Sequence, residues 1–130
     1  MIVVDASVLA SALGDDGPDG DRARHRLAAE QLFAPELIDL EVASVWRRAG
    51  GSGRLDDRRA GLALADLASM PLARASHRPL LARIWELRTN LTPYDAAYVA
   101  LAELLDSVLV TPDRALGRAS GIECEVEVLH

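Results

Sequence analysis

The stretch MIVVDASVLASAL (residues 1–13) joins a strand pattern to a helix pattern through one acidic residue. Residues 2–4 form a β-branched run, which in a chain rich in helical patterns predicts a strand buried in a parallel sheet. The run stops at Asp5, and residues 6–13 predict a helix that follows at once. The alternation of strands and helices is the pattern from which α/β folds are built.

The rest of the chain continues this alternation. We predict further strands at residues 33–34, 72–76, 107–110 and 125–129. We predict further helices at residues 21–31, 35–49, 56–70, 78–88, 92–105 and 113–119, with Pro35 as a helix start and residues 14–20 as a loop. The pattern predicts one α/β domain over residues 1–130, arranged as a three-layer α/β/α sandwich around a mostly parallel sheet of about five strands.

The composition limits the chemistry of the protein. All 14 positive charges are Arg, because the sequence has no Lys, and the 20 Asp and Glu residues give a net charge of −6. Sites built on a catalytic or phosphate-binding Lys are therefore excluded. The acidity argues against non-specific binding to nucleic acid, which depends on Arg and Lys contacts with phosphate. With neither a signal peptide nor a run of about 18 apolar residues evident, we expect a cytoplasmic protein outside the membrane.

Two acidic residues follow predicted strands. Asp5 ends the run at residues 2–4, and Asp113 lies just past the run at residues 108–110. Ligands of open parallel sheets bind outside the carboxyl ends of the strands, so we expect these two carboxylates to converge in one crevice. Each alone has another explanation, because Asp is a preferred N-cap and both residues precede a predicted helix.

Two further acids lie on predicted helices. Glu41 falls on the apolar stripe of its helix, where an unpaired charge is unfavourable, so either a functional carboxylate or a Glu–Arg ion pair would explain it. Asp39 faces elsewhere and is expected to be solvated. Asp95 lies in the first turn of the helix that Thr92 caps, where it is either part of a capping box or a site residue at the border of the core.

Taken together, these four acids indicate a metal site. Clustered carboxylates raise one another's pKa unless cations neutralise them, and hard oxygen ligands favour Mg²⁺ or Mn²⁺. No Cys or His pattern competes for a metal: Cys124 is expected to be a buried, inert thiol, and the three His residues to lie at the surface. Carboxylates that hold Mg²⁺ commonly serve to activate water against a phosphodiester.

Four phrases carry a resemblance to a known family. In chain order they are residues 3–9 (VVDASVL), 35–43 (PELIDLEVA), 91–103 (LTPYDAAYVALAE) and 109–116 (LVTPDRAL). Their order and spacing resemble the four motifs of PIN-domain proteins. With the total length, they are similar to VapC-type toxins of bacterial toxin–antitoxin pairs, and the resemblance spans nearly the whole chain.

The resemblance implies a PIN fold with a parallel five-stranded sheet and a Mg²⁺- or Mn²⁺-dependent endoribonuclease that cuts structured RNA such as tRNA or rRNA. It implies a VapB-type antitoxin, a homodimer and a toxin–antitoxin hetero-oligomer. It also assigns residues: the catalytic, metal-holding positions match Asp5, Glu41, Asp95 and Asp113, and the supporting hydroxyls match Ser7 and Thr111. For both hydroxyls, capping of the adjacent helix is an alternative role that can coexist.

Other functions stay open on the sequence. A non-catalytic module of this fold would use the acids only to recruit a basic partner. A metal-dependent phosphatase would normally place a second Asp two residues after the first, where this chain has Ser7, and a DNA-cutting nuclease is a further alternative. Arg47 and Arg48 are candidates for contacts with an RNA backbone. The sequence leaves open whether Trp46 and Trp85 belong to the core or to an interface.

Overall fold

The computed structural model describes residues 1–130 and contains five strands and seven helices. The strands are β1 (Ile2–Val4), β2 (Leu32–Pro35), β3 (Leu72–Ala75), β4 (Val108–Thr111) and β5 (Val126–Val128). The helices are α1 (Ala6–Gly14), α2 (Pro18–Leu27), α3 (Ile38–Gly51), α4 (Asp57–Ser69), α5 (Leu81–Glu86, after a 3-10 turn), α6 (Pro93–Leu104) and α7 (Arg114–Gly117). None of the helices has the length and hydrophobicity that a transmembrane span needs.

The five strands form one sheet in the order β3-β2-β1-β4-β5, and every neighbouring pair is parallel. This confirms the predicted α/β fold. From β1 the chain builds the sheet outward on one side through β2 and β3, and then returns to build the other side from β4. The strand order therefore reverses beside β1, and open α/β sheets bind their ligands at such a reversal, beyond the carboxyl ends of the strands.

The core explains why the central strand β1 carries only apolar residues. All three residues of β1 are buried, and Val3 is paired with Phe33 of β2 and Leu109 of β4. Trp46 of α3 is also buried, and its indole N–H donates a 3.3 Å hydrogen bond to the carbonyl of Ala10 in α1. Trp46 is thus a core residue that fixes α3 against α1, the helix that follows β1.

Two element boundaries differ from the sequence-based prediction. Helix α2 begins at Pro18 inside the predicted loop, because Pro suits the first turn of a helix, and it ends early, since Ala29 adopts the left-handed conformation with φ of 64°. Pro35 does not start a helix. It is the last residue of β2, paired with Ala75 of β3, and α3 begins only at Ile38.

Asp39 is not only a solvated carboxylate, as predicted: its side chain is 38% exposed, and it also holds the start of α3 to β3. Its carboxylate accepts two hydrogen bonds from the guanidinium of Arg74, at 2.7 and 2.9 Å. The same guanidinium donates a 2.8 Å bond to the carbonyl of Leu67 in α4. Asp39 lies about half a helical turn before Glu41. The bidentate pair therefore anchors the helical turn from which Glu41 projects.

Candidate active site

Asp5 and Asp113 lie at the carboxyl ends of β1 and β4. The backbone N–H of Asp5 donates a 3.0 Å bond to the carbonyl of Val110, which places Asp5 directly beside β4. Asp5 stands at the N-cap position of α1, yet its carboxylate makes no capping hydrogen bond. Asp113 does cap its helix, because its carboxylate accepts bonds from the N–H groups of Ala115 and Leu116 at 2.9 and 3.3 Å.

Glu41 and Asp95 reach the same region from two helices. Glu41 projects from the first turns of α3, and no Arg pairs with it; its carboxylate instead accepts a 2.7 Å hydrogen bond from the hydroxyl of Tyr98. The Thr92 hydroxyl caps α6 as predicted, accepting a 3.2 Å bond from the backbone N–H of Asp95. The cap fixes the first turn of α6, and with it the position of Asp95.

All four acids line one open cavity of about 330 Å³ at this edge of the sheet. The side chains of Asp5, Glu41 and Asp95 are half-buried, whereas Asp113 is exposed at the rim. The other residues on the cavity wall are Ala6, Ser7, Ser44, Val45, Arg48 and Pro112. The structure therefore brings together the four acids that the sequence singled out from four separate segments.

The electrostatics of the cavity are dominated by unneutralised negative charge. Burial raises the pKa of Asp5, Glu41 and Asp95, and the charges of neighbouring acids raise each of these pKa values further. None of the nine ion pairs in the molecule involves any of the four acids. Arg48 is the one cationic residue on the cavity wall, and it pairs with none of them. The cavity is thus suited to a cation from outside the chain.

Of the two predicted hydroxyls, one connects the acids and the other does not. The hydroxyl of Thr111, fully buried at the end of β4, donates a 2.6 Å bond to the carboxylate of Asp5 and accepts a 3.1 Å bond from the backbone N–H of Asp113. Ser7 lines the cavity but is exposed, and its side chain caps no helix. Thr111 is therefore the hydroxyl that positions the carboxylate of Asp5.

Tyr98 is a site residue that the sequence did not reveal. Its side chain is buried, and burial together with the hydrogen bond to Glu41 raises its pKa far above the usual range, so the hydroxyl stays protonated and acts as a donor. The available signal is its place three residues after Asp95, on the same face of α6. That spacing alone indicates only a residue at the core border, because the partner Glu41 comes from a distant segment.

The donor set fits Mg²⁺ or Mn²⁺ by chemistry, since all its members are carboxylates. In this conformation, however, no three acidic, His or Cys side chains are placed to hold one ion together. Mg²⁺ usually keeps several water ligands and takes only one or two carboxylates directly. An ion in this cavity would therefore rely on water ligands, on rotation of the side chains, or on both.

Comparisons with known proteins agree with this geometry. The family model for the PIN domain matches residues 2–122. The chain is 43% identical over 129 residues to Ribonuclease VapC9 of Mycobacterium tuberculosis strain H37Rv, covering 99% of this chain and 98% of that protein. It is 39% identical to Ribonuclease VapC1 of the same strain, covering 98% and 97%. A solved toxin–antitoxin complex from Klebsiella pneumoniae contains a chain with the same fold, with a TM-score of 0.68, 20% identity and coverage of 100% and 98%.

The hydrogen bond from Tyr98 generates a first prediction. In the native protein the hydrogen bond from Tyr98 favours the ionised carboxylate of Glu41 and so lowers its pKa. Because Tyr98→Phe removes this bond, we expect the pKa of Glu41 to rise. The free energy of unfolding should fall by about 1 kcal/mol. Carbon-13 NMR of the Glu41 carboxyl during a pH titration measures the first effect and urea unfolding the second. Tyr94→Phe is the matched control, because Tyr94 is exposed and its hydroxyl has no partner; equal behaviour of the two variants would contradict the assignment.

The raised pKa of Asp95 generates a prediction about stability and pH. Because the pKa of Asp95 is raised in the folded protein, its carboxyl keeps a proton at pH values where the unfolded chain has lost it. Ionisation of Asp95 therefore lowers the free energy of unfolding as pH rises above 3.8, the ordinary pKa of Asp. Relative to wild type, Asp95→Asn should therefore gain stability between about pH 4 and neutrality. Urea unfolding across this range measures the difference.

The control for this experiment has the opposite sign. The hydrogen bond and charge of Arg59 lower the pKa of Asp16, so its ionised form stabilises the fold. Asp16→Asn should be less stable than wild type by a constant amount above about pH 4, and the two should converge as pH falls below 3.8, the ordinary pKa of Asp. If the stability of Asp95→Asn relative to wild type stays constant or falls as pH rises, the carboxylate of Asp95 is not held in an unfavourable environment.

Proposed function

The chain belongs to the PIN-domain family and, within it, to the VapC ribonucleases, and from that premise we propose that it is a metal-dependent endoribonuclease and the toxin of a toxin–antitoxin pair. The observation that carries the proposal is the acid-lined cavity at the reversal of the sheet, where four carboxylates have no ion-pair partner. A binding module for a basic partner would not need the two hydroxyls that hold Asp5 and Glu41 in fixed positions.

We assign the metal to the acids of the cavity. Asp5 and Asp95 would anchor a Mg²⁺ or Mn²⁺ ion, and Glu41 and Asp113 would hold water or a second ion. The bound ion supplies positive charge that lowers the pKa of water and offsets the charge that develops on the reacting phosphate. Thr111 restricts the carboxylate of Asp5, and Tyr98 restricts that of Glu41, so these two acids enter the reaction already oriented.

The reaction that we propose is hydrolysis of a phosphodiester. The oxygen of a water forms a bond to phosphorus, and the bond from phosphorus to the 3′ oxygen of the preceding ribose breaks. Glu41 suits the acceptance of a proton from that water, because its carboxylate lies on the cavity wall and has no ion-pair partner. The 3′ oxygen leaves with a proton from solvent. The products carry a 5′-phosphate and a 3′-hydroxyl.

Family membership supports our proposals for the substrate and the partners. We propose structured RNA, such as tRNA or rRNA, as the substrate and a VapB-type antitoxin as the inhibitor. A basic residue from an antitoxin would bind in the acidic cavity for the same electrostatic reason as a metal ion. We also propose a homodimer and a toxin–antitoxin hetero-oligomer. The exposed Trp85 and Tyr94, 67% and 64% accessible, are apolar side chains that such interfaces commonly bury.

Cleavage of RNA by the purified protein tests the proposal. We expect the wild type to cut a pool of tRNA and rRNA in the presence of Mg²⁺, and EDTA to abolish cleavage. Asp5→Asn should lower the rate by at least about 100-fold, because it removes a proposed metal ligand, while circular dichroism stays unchanged. Asp57→Asn is the matched control and should cut at the wild-type rate, because Asp57 is exposed at the start of α4, outside the cavity.

Four results would contradict the proposal in different ways. Failure of the wild type to cleave any RNA would favour the binding module. Cleavage that persists in EDTA would reject metal dependence. Faster cleavage of DNA than of RNA would identify DNA as the substrate. Release of phosphate from small phosphate esters without RNA cleavage would favour the phosphatase.

A further inference from the structure

The arginines of the molecule fall into two groups. Six of the 14 form ion pairs with carboxylates of the chain, and these are Arg22, Arg24, Arg26, Arg59, Arg74 and Arg83. The other eight have no carboxylate partner. Because the sequence has no Lys, any cationic side chain that meets an anionic ligand must be one of the arginines, and an arginine without an internal partner is the most available.

Arg48 differs from the other seven unpaired arginines by its position. It is the only arginine that lines the acidic cavity. It also lines a larger groove of about 640 Å³ between α1, α3 and the start of α4, so that Arg48 and Val45 form the boundary that the two spaces share. Its neighbour Arg47 is equally exposed but lines neither space.

The guanidinium of Arg48 is free to bind a ligand. Its one hydrogen bond in the molecule is a long contact of 3.4 Å to the hydroxyl of Ser44, one turn earlier in α3. Although it lies on the wall of a cavity with four acids, it forms an ion pair with none of them. A planar guanidinium with unused donors matches the geometry of a phosphate group.

The groove beyond Arg48 has a second free cation. Arg54 lines it, and its side chain bonds only to the hydroxyl of Ser52, at 2.8 Å. Of the three acids of the groove, only Asp16 is neutralised by an arginine, Arg59, whereas Asp56 and Asp15 accept backbone N–H bonds and keep their charge. The groove therefore has as many arginines as acids, in contrast to the cavity, where four acids face one arginine.

We infer that Arg48 binds the RNA phosphate next to the one that is cleaved, and that Arg54 meets the strand further along the groove. This rests on the proposed function, because a strand whose reacting phosphate lies among the acids must continue through an opening of that cavity. The groove that begins at Arg48 is such an opening. Arg48 is a substrate-binding residue here, and it lowers the electrostatic barrier that the acidic cavity presents to the strand.

Steady-state cleavage of a labelled RNA oligonucleotide compares Arg48→Ala with Arg47→Ala, which removes the same charge one residue away. We expect Arg48→Ala to raise KM by about 10-fold with little change in kcat. Arg47→Ala should change KM by less than about 2-fold, and Arg54→Ala should have an intermediate effect. Arg48→Lys should recover part of the loss, because it restores the charge without the bidentate geometry.

Binding without cleavage provides a second measurement. In an Asp95→Asn background, fluorescence anisotropy of the same RNA over a range of salt concentrations gives the slope of log affinity against log salt. Arg48→Ala should reduce this slope by about 0.7, the value for one phosphate contact with a single strand, whereas Arg47→Ala should leave it unchanged. Arg48→Ala and Arg47→Ala have the same net charge, so a difference between them reports the position of the arginine.

The outcomes separate this inference from the proposed function. If the wild type cleaves no RNA, the proposed function fails. If it cleaves RNA but Arg48→Ala and Arg47→Ala agree in KM and in salt slope, only the role of Arg48 is rejected. If Arg48→Ala leaves both RNA measurements unchanged and weakens binding of the antitoxin instead, the groove is a protein-binding surface, and the inference is overturned.

Discussion

The site depends on four carboxylates that the fold holds around one cavity without a cation of the chain to neutralise them. Burial and the charges of their neighbours raise the pKa of three of them, so the fold holds these groups against their own electrostatic preference. Such an arrangement persists only where the surrounding structure determines it. Here the pairing of β1 with β4 places Asp5 and Asp113, and the capped start of α6 places Asp95. The hydroxyls of Thr111 and Tyr98 hold the carboxylates of Asp5 and Glu41.

A small number of elements and contacts brings these acids to one cavity. The parallel pairing of β1 with β4 brings Asp5 and Asp113 to the same edge of the sheet, and Thr111 then links the two through its single hydroxyl. Helix α6 contributes twice, because Asp95 faces the cavity while Tyr98, one turn later, reaches Glu41 on α3. The charge of Glu41 would be unfavourable in an ordinary core. Here it is tolerated because Tyr98 donates a hydrogen bond to it and because it faces an open cavity that a cation from outside can enter.

The sequence predicts the strand–helix order and the four acids because both depend on local patterns. A β-branched run that stops at an acid, or Thr followed by Pro at a helix start, carries its structural meaning within a few residues. What the sequence misses depends on partners far along the chain. Asp39 pairs with Arg74 and Glu41 accepts a bond from Tyr98, 35 and 57 residues away. Pro35 ends β2 because it pairs with β3, which no local pattern reveals.

The net charge of −6 argues against a nucleic-acid partner only while the acids of the cavity are counted as free charges. A divalent ion bound among them, as we propose, would remove much of that repulsion, and Arg48 lies where we propose that the strand enters. Isothermal titration calorimetry with Mn²⁺ tests this account most directly. The account predicts saturable binding to the wild type that is lost in the double variant Asp5→Asn/Asp95→Asn. No binding to the wild type, or equal binding to both proteins, would contradict it.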